Sequence, residues 1–100
     1  MDKKIMDTFN GFFEAVLKLN TVEECRDFFD DICTIKELQD ISQRLEVASL
    51  LERGCSYQEI SKNTGASTAT ISRVSRCLNY GSGGYKLILK ERAGESENEN

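Results

Sequence analysis

The chain has 100 residues with a formal net charge of −4, and it contains neither proline nor histidine. This length fits one small domain with a thin core, and the lack of proline favours an all-α fold. Without histidine no Ser–His or Cys–His pair can be built, and the four cysteines lack the paired spacing of a zinc site, so we expect neither an enzyme nor a metalloprotein.

The first predicted helix covers residues 1–20 and carries a broad apolar stripe. Its apolar residues recur at steps of three and four, at Ile5, Met6, Phe9, Phe12, Phe13, Val16, Leu17 and Leu19. A stripe of this width on so small a protein indicates burial against a second chain at least as much as burial within its own core.

Two capping boxes predict the helices that follow. Thr21 with Glu24 opens a second helix, and Thr34 with Glu37 opens a long third helix that ends at about Arg53. The second helix has an acidic face, which we interpret as a solvated face rather than as a metal cluster. The acids of this face are Glu23, Glu24, Asp27, Asp30 and Asp31.

The long third helix is predicted to be the central scaffold, because it is the longest periodic segment of the chain. Gly54 is its natural C-terminal stop. Its apolar stripe consists of Ile35, Leu38, Ile41, Leu45, Ala48 and Leu51, widened by Val47 and Leu50.

Residues 56–79 predict a helix-turn-helix, two short helices joined by a tight turn. Ser56 and Glu59 form a third capping box, Gly65 ends the first helix, and Ser67 caps the second. Two helices around a glycine turn also occur in helical proteins that never touch DNA, so this spacing alone leaves DNA binding open. The residues expected to face inward are Ile60, Ala66, Ile71, Val74 and Leu78.

The charge of this region favours DNA. Residues 56–90 contain five basic side chains and a single acid, Glu59, which gives a local net charge of +4 in a chain of −4 overall. A basic patch on an acidic protein is what binding to a phosphate backbone requires. Because the patch is modest, we expect a dimer.

The outer face of the helix-turn-helix is small, hydroxylic and basic, which suits a helix that enters a major groove. The residues predicted to meet base edges are Thr68, Ala69 and Thr70. Those predicted to touch phosphates are Gln58, Ser61, Lys62 and Arg76. Ser67 and Ser72 complete the face, and Arg73 is ambiguous between DNA and a ligand pocket.

The C-terminal part divides into three segments. Residues 81–84 are rich in glycine and predict a hinge or turn, and residues 85–89 predict a short final helix that docks in cis or in trans. Residues 93–100 are polar and acidic and predict a disordered tail. A single domain is therefore placed at residues 1–92.

Residues 65–73 read Gly-Ala-Ser-Thr-Ala-Thr-Ile-Ser-Arg and match the motif G-A-x-x-A-T-I-[ST]-R. Together with Arg53-Gly54 upstream, this motif resembles the tryptophan repressor superfamily, and most closely its short Trp-repressor-like proteins of the YerC/YecD type, over about residues 6–90. The resemblance implies an all-α fold of about six helices and an intertwined homodimer with interlocking N-terminal helices. Such a dimer would bind a near-palindromic operator with half-sites about one helical turn apart.

The regulatory ligand of that family is L-tryptophan, and the resemblance implies a pocket at Thr34, Arg44 and Arg73. Two further pocket positions depart from the family pattern, because Val74 replaces a glycine and Cys77 replaces the serine that holds the amino group of the ligand. Overpacking by a branched side chain costs about 1–3 kcal/mol, and the serine hydroxyl is lost. We therefore expect no cofactor and no bound tryptophan, and either a smaller effector or none.

The sequence thus predicts a homodimeric, sequence-specific DNA-binding regulator of transcription, a repressor that acts by occupying its operator. The alternative is a protein–protein interaction module that keeps the helix-turn-helix without specific DNA binding. Salt dependence and sequence preference of DNA binding separate the two. No apolar run is long enough to span a membrane and no signal peptide is visible, so we expect a cytoplasmic protein.

Overall fold

The computed structural model describes residues 1–90, in which every regular element is a helix. The helices are α1 (Lys3–Asp7), α2 (Asn10–Val16), α3 (Val22–Ile32), α4 (Ile35–Glu52), α5 (Tyr57–Thr64) and α6 (Thr68–Tyr80), followed by α7 over residues 84–90. The predicted all-α fold is confirmed. The disordered tail predicted for residues 93–100 lies outside the described residues.

The helices fall into two compact units. The first, Met1–Leu38, contains α1 to α3 and is called the aromatic unit; the second begins at Gln39, contains most of α4 and all of α5 to α7, and is called the helix-turn-helix unit. The single domain predicted for residues 1–92 stays a prediction, because its end lies beyond the described residues.

The prediction of a single helix over residues 1–20 is wrong, because a turn separates α1 from α2. The backbone N–H groups of Thr8 and Phe9 donate to the carbonyls of Ile5 and Met6, three residues back, at 3.1 and 3.0 Å. The Thr8 hydroxyl also donates to the Ile5 carbonyl at 2.6 Å. A hydroxyl that bonds the preceding turn competes with the regular helical pattern and tightens the backbone there.

All five phenylalanines of the chain lie in the aromatic unit and contact one another. The Phe12 ring centroid lies 6.2 Å from that of Phe28 and 6.5 Å from that of Phe29, and Phe28 and Phe29 are 5.3 Å apart. No residue of α1, α2 or α3 is buried, and Phe12 is 40% exposed. The unit therefore has an aromatic cluster but no enclosed core within this chain.

The predicted caps open α3 and α4 as expected, with one difference. Thr34 and Glu37 bond each other reciprocally, at 2.9 and 3.1 Å. At α3 the Thr21 hydroxyl accepts from the Glu24 backbone N–H at 3.0 Å, but the Glu24 carboxylate accepts from Asn20 at 2.8 Å rather than from Thr21. The second half of that capping box is therefore displaced by one residue.

The buried core belongs to the helix-turn-helix unit. It contains the five inward-facing residues predicted for the helix-turn-helix, which confirms that prediction, together with residues of α4 and α7. Its members are Val47, Ala48, Leu50, Ile60, Ala66, Ile71, Val74, Leu78 and Leu89. Because Leu89 is buried and Tyr85 packs against the core, α7 docks in cis.

The apolar stripe predicted for α4 is divided. Val47 and Leu50, predicted only to widen the stripe, are buried, whereas Ile35 and Ile41 are exposed. The helix ends as predicted at Gly54, whose φ of +83° lies in the left-handed region that favours glycine. The backbone N–H groups of Gly54 and Cys55 donate to the carbonyls of Leu51 and Leu50, the pattern of a Schellman motif.

Candidate nucleic-acid interface

Both helices of the helix-turn-helix begin at a serine N-cap. The Ser56 side chain accepts from the Glu59 backbone N–H at 3.2 Å, and the Glu59 carboxylate accepts from the Ser56 backbone N–H at 3.4 Å, which completes the predicted capping box. Ser67 caps α6 by accepting from the Thr70 backbone N–H at 3.2 Å. These bonds satisfy N–H groups that have no partner inside a helix, so both helices begin where the sequence predicts.

The turn between α5 and α6 begins at Gly65, which has a φ of +75° and donates its backbone N–H to the Ser61 carbonyl at 2.8 Å. The Thr64 hydroxyl donates to the Ile60 carbonyl at 2.7 Å and accepts from the Ala66 N–H at 3.1 Å. Since side chains pair the polar backbone groups of the turn, its conformation is tightly defined.

A contact from outside the motif also reaches this turn. The Gln43 side chain on α4 donates from Nε2 to the Thr64 carbonyl at 3.1 Å. Sequence reasoning missed this residue, because a bond that joins positions 21 residues apart leaves no periodic signal in the sequence.

Most of the predicted DNA face is exposed. On α6 two rows of side chains run parallel to the helix axis, one with Thr68, Ser72 and Arg76 at steps of four, and one with Ala69 and Arg73. The exposed members of the predicted face are Gln58, Lys62, Ser67, Thr68, Ala69, Ser72, Arg73 and Arg76. The opposite side of α6 carries the buried core residues, so the helix presents a continuous polar and basic surface.

Two predicted contact residues, Ser61 and Thr70, are half-buried. The Ser61 hydroxyl donates to the Ala66 carbonyl at 2.9 Å, so its proton is used inside the turn rather than offered to a phosphate. The Thr70 hydroxyl accepts from the Ser67 hydroxyl at 3.2 Å and keeps its own proton for another acceptor. Ser61 is therefore placed to shape the turn, whereas Thr70 still has a donor to offer.

The exposed face of α6 extends further than the sequence analysis predicted. Asn79 and Tyr80 lie in the last turn of α6, and Tyr80 is 87% exposed. The Asn79 amide donates to the Ser75 carbonyl at 2.9 Å. The helical period that places Ser72 and Arg76 on one side of α6 also places Asn79 and Tyr80 on that side, so this extension could have been predicted from the sequence.

The residues of the predicted ligand pocket have different environments. Thr34 belongs to the aromatic unit, where it caps α4. In the helix-turn-helix unit Arg44 is half-buried, Arg73 and Cys77 are exposed, and Val74 is 1% exposed within the core. The Val74 side chain therefore packs among the apolar residues that hold α6 in place.

The Glu37 carboxyl has a pKa below its ordinary value. The hydrogen bond from the Thr34 backbone N–H is the main cause, and a bond to the Thr34 side chain adds to it. Within residues 1–90, no three histidine, cysteine or acidic side chains are grouped so that they could hold a metal ion. None of the helices described here has the length and apolar character needed to cross a membrane.

Comparisons with known proteins match nearly the whole chain. The family model described as Trp repressor protein matches residues 7–93. The "Uncharacterized protein YerC" of Bacillus subtilis (strain 168) is 50% identical over 99 residues, which cover 99% of this chain and 94% of that protein.

Solved structures agree with that match. A crystal structure of a "putative Trp repressor" from Staphylococcus aureus is 43% identical, with a TM-score of 0.87 over 93% of this chain and 95% of that chain. The crystal structure of a TrpR-like protein from Eubacterium eligens ATCC 27750 is 49% identical, with a TM-score of 0.82 over 88% of this chain and 90% of that chain.

Proposed function

This chain is a YerC-type member of the Trp repressor family, and from that premise we propose that it is a sequence-specific DNA-binding repressor that acts as a homodimer. The family is one of DNA-binding regulators rather than of enzymes. The observation that carries the proposal is the surface of α6, which is polar and basic on its exposed side and fixed by a buried core on the other. We place the protein in the cytoplasm, where its DNA target would lie.

In this proposal the N-terminal half of α6 enters a major groove. Thr68 and Ala69 are exposed in its first turn, and small side chains there let the helix approach base edges closely. The Thr70 hydroxyl offers a proton to a base acceptor, since its bond with Ser67 uses only a lone pair. Ser67 and Ser72 flank these residues and complete the base-facing surface.

Phosphate contacts come from the exposed residues around that surface. Lys62 on α5 and Arg76 on α6 supply charge, and the Gln58 amide supplies a neutral donor near the start of α5. Arg73, also on α6, adds a third exposed cation. So few cations in one chain give weak binding, and a dimer that places two copies on successive grooves would double the phosphate contacts.

The aromatic unit supplies the reason to expect the second copy. Phe9, Phe12 and Phe13 are each at least 40% exposed although they contact other aromatic rings, and no residue of α1 to α3 is buried. Water contact with so many large apolar side chains is unfavourable, and a second aromatic unit of the same kind would remove them from water. We propose that two chains meet through this cluster.

Tryptophan is not the effector in this proposal. Val74 stands where the family has glycine, and its side chain is part of the core with Ile60 and Ile71 rather than a removable wall. Cys77 is exposed but has no hydroxyl to orient an amino group. Thr34, Arg44 and Arg73 keep the residue types of the family pocket, but because Val74 and Cys77 depart from its pattern, any effector in this proposal is smaller than tryptophan.

The test is a selection of bound fragments from a random duplex library by the purified protein at moderate salt. We expect enrichment of one near-palindromic sequence, a steep fall in affinity with salt, and no response to tryptophan. A protein that is dimeric in solution but enriches no sequence would refute the repressor and favour the interaction module. Enhanced operator binding on addition of tryptophan would refute the exclusion of that ligand.

A further inference from the structure

Gln43 contacts the helix-turn-helix through Thr64, and neither residue belongs to the surface proposed to face DNA. Gln43 is half-buried on α4, and its Nε2 donates to the Thr64 carbonyl at 3.1 Å. Thr64 is the last residue of α5, and Gly65 then enters the left-handed region. The bond therefore attaches the point where the chain leaves α5 to another helix.

The Thr64 carbonyl needs a partner of this kind. The last four carbonyls of a helix have no N–H donor within that helix, and the turn to α6 carries the chain away from the α5 axis. A polar group left unpaired in a partly buried position is costly, so the Gln43 amide selects the arrangement in which α5 ends against α4.

Gln43 also stands next to the apolar contact between α4 and the motif. Val47 lies one helical turn after Gln43 on the same side of α4 and is fully buried, in the same core as Ile60 and Ala66. Apolar contacts are not directional, whereas a hydrogen bond to one carbonyl fixes register. The amide therefore adds a defined orientation to a contact that is otherwise only apolar.

The orientation of the turn sets that of α6. The turn consists of only three residues, 65–67, and α6 begins at Thr68. Ser61 and Thr64 hold this turn rigid through their bonds to Ala66. A shift of the Thr64 carbonyl relative to α4 would therefore also move the first turn of α6, where the residues assigned to base edges lie.

We propose that Gln43 is a positioning residue for DNA recognition, which fixes the helix-turn-helix on α4 so that α6 is held in one orientation without a bound small molecule. The proposal rests on the proposed function, because it concerns how the same surface reads a sequence. It assigns to Gln43 no contact with DNA.

The test compares substitutions of Gln43 with the same substitutions at Gln39, an exposed residue one turn earlier on α4. Gln43→Met removes the donor but keeps an unbranched side chain of similar length, and Gln43→Lys restores a donor. Gln39→Met and Gln39→Lys control for the change of polarity and of charge. Affinities of the full-length proteins for the selected operator and for random duplex are measured at one salt concentration, with thermal unfolding in parallel.

We expect Gln43→Met to lower the ratio of operator affinity to random-duplex affinity by roughly three- to tenfold, the factor that one hydrogen bond supplies. Random-duplex affinity stays within about twofold, because it depends on exposed cations that the substitution leaves in place. Gln43→Lys restores most of the ratio, and both Gln39 variants keep it. Amide hydrogen exchange without DNA is faster at residues 64–66 in Gln43→Met, while the middle of α6 stays protected.

Three results would overturn the proposal. A Gln43→Met protein with an unchanged affinity ratio would show that the amide does not affect recognition. An equal loss of operator and random-duplex binding, with a lower unfolding temperature and no recovery in Gln43→Lys, would reduce Gln43 to a structural role. If the unsubstituted dimer enriches no sequence, the proposed function itself fails, and the positioning role fails with it.

Discussion

The aromatic unit and the helix-turn-helix unit differ in how far each buries its apolar side chains. Both are short helices with apolar stripes, yet the second encloses nine buried apolar residues while no residue of α1 to α3 is buried. The four largest fully buried side chains, Ile60, Ile71, Val47 and Val74, all belong to the second unit. The helix-turn-helix unit therefore has a buried core within a single chain. The aromatic unit has the composition of a core, but its apolar side chains remain in contact with water.

The difference shows why an apolar stripe does not by itself locate a core. A stripe reports that a helix face avoids water, but it does not say which surface covers that face. In α4 both situations occur within one helix, since Val47 is fully buried and Ile35 is 76% exposed. We expect the two units to respond differently to substitution.

Replacement of Phe12 by alanine has the largest expected effect, because the proposed homodimer would lose the ring twice. Phe12 is 40% exposed in one chain and would be buried by the second chain of the proposed dimer. Removal of a buried phenylalanine costs about 3–5 kcal/mol, and here the loss falls on association, so unfolding becomes more dependent on protein concentration. Sedimentation equilibrium measures the shift toward monomer. Tyr80→Ala, which removes an 87% exposed ring outside the aromatic unit, should leave the dimer intact. Equal dissociation constants for both variants would remove the aromatic cluster from the interface.

Replacement of Ile71 by alanine should destabilise the helix-turn-helix unit itself. Ile71 is fully buried, and a cavity of this kind costs about 2–5 kcal/mol of unfolding free energy. Because its neighbours belong to the same unit, the loss measured by urea unfolding should change little with protein concentration. Ile88→Ala, at a 45% exposed position of α7, is the control. A loss that disappears at high protein concentration would contradict an intrachain role for Ile71.

Substitutions on the proposed DNA face should separate phosphate contacts made by charged side chains from contacts with base edges. Lys62→Ala should weaken binding to every duplex alike and reduce the salt slope by about one per site, whereas Thr70→Val should relax discrimination at particular base pairs. Competition binding over a salt series measures both effects. Lys18→Ala, a lysine exposed outside the DNA face, should change neither. The same sequence-independent effect in Lys62→Ala and Thr70→Val would show that the recognition face is assigned wrongly.

The smallest expected effect concerns the pH dependence of the start of α4. The bonds from Thr34 lower the pKa of Glu37, so the folded state favours the ionised carboxylate. Its contribution is complete above the ordinary pKa of 4.5 and is lost as the pH falls through the lower folded value. Thermal unfolding of Glu37→Gln should therefore show less acid sensitivity in this window than the unsubstituted protein. Glu14→Gln, an exposed substitution in α2, should keep the original pH profile, and identical profiles for all three proteins would exclude the linkage.

The caps and the turn of the candidate site were predictable, because they depend on residues close together in the sequence. Ser56, Gly65 and Ser67 act through bonds to residues within four positions, and such spacings can be read directly. The exposed rows of α6 follow from the helical period in the same way. The phosphate contact of Ser61 stays a prediction, but its bond to the Ala66 carbonyl was not visible in the sequence, because Ala66 lies across the turn and not on the same helix.

The sequence by itself determined the helical class, the caps, the glycine stops and the inward side of the helix-turn-helix, since each depends on residues within one or two helical turns. Only the tertiary structure decided that Gln43 pairs with Thr64, that Val47 rather than Ile41 is buried, and that Leu89 packs in cis. These outcomes depend on which helix faces meet in space. Many pairings of apolar faces satisfy one hydrophobic pattern, and the choice among them is made by packing and by the polar groups that must be paired inside it.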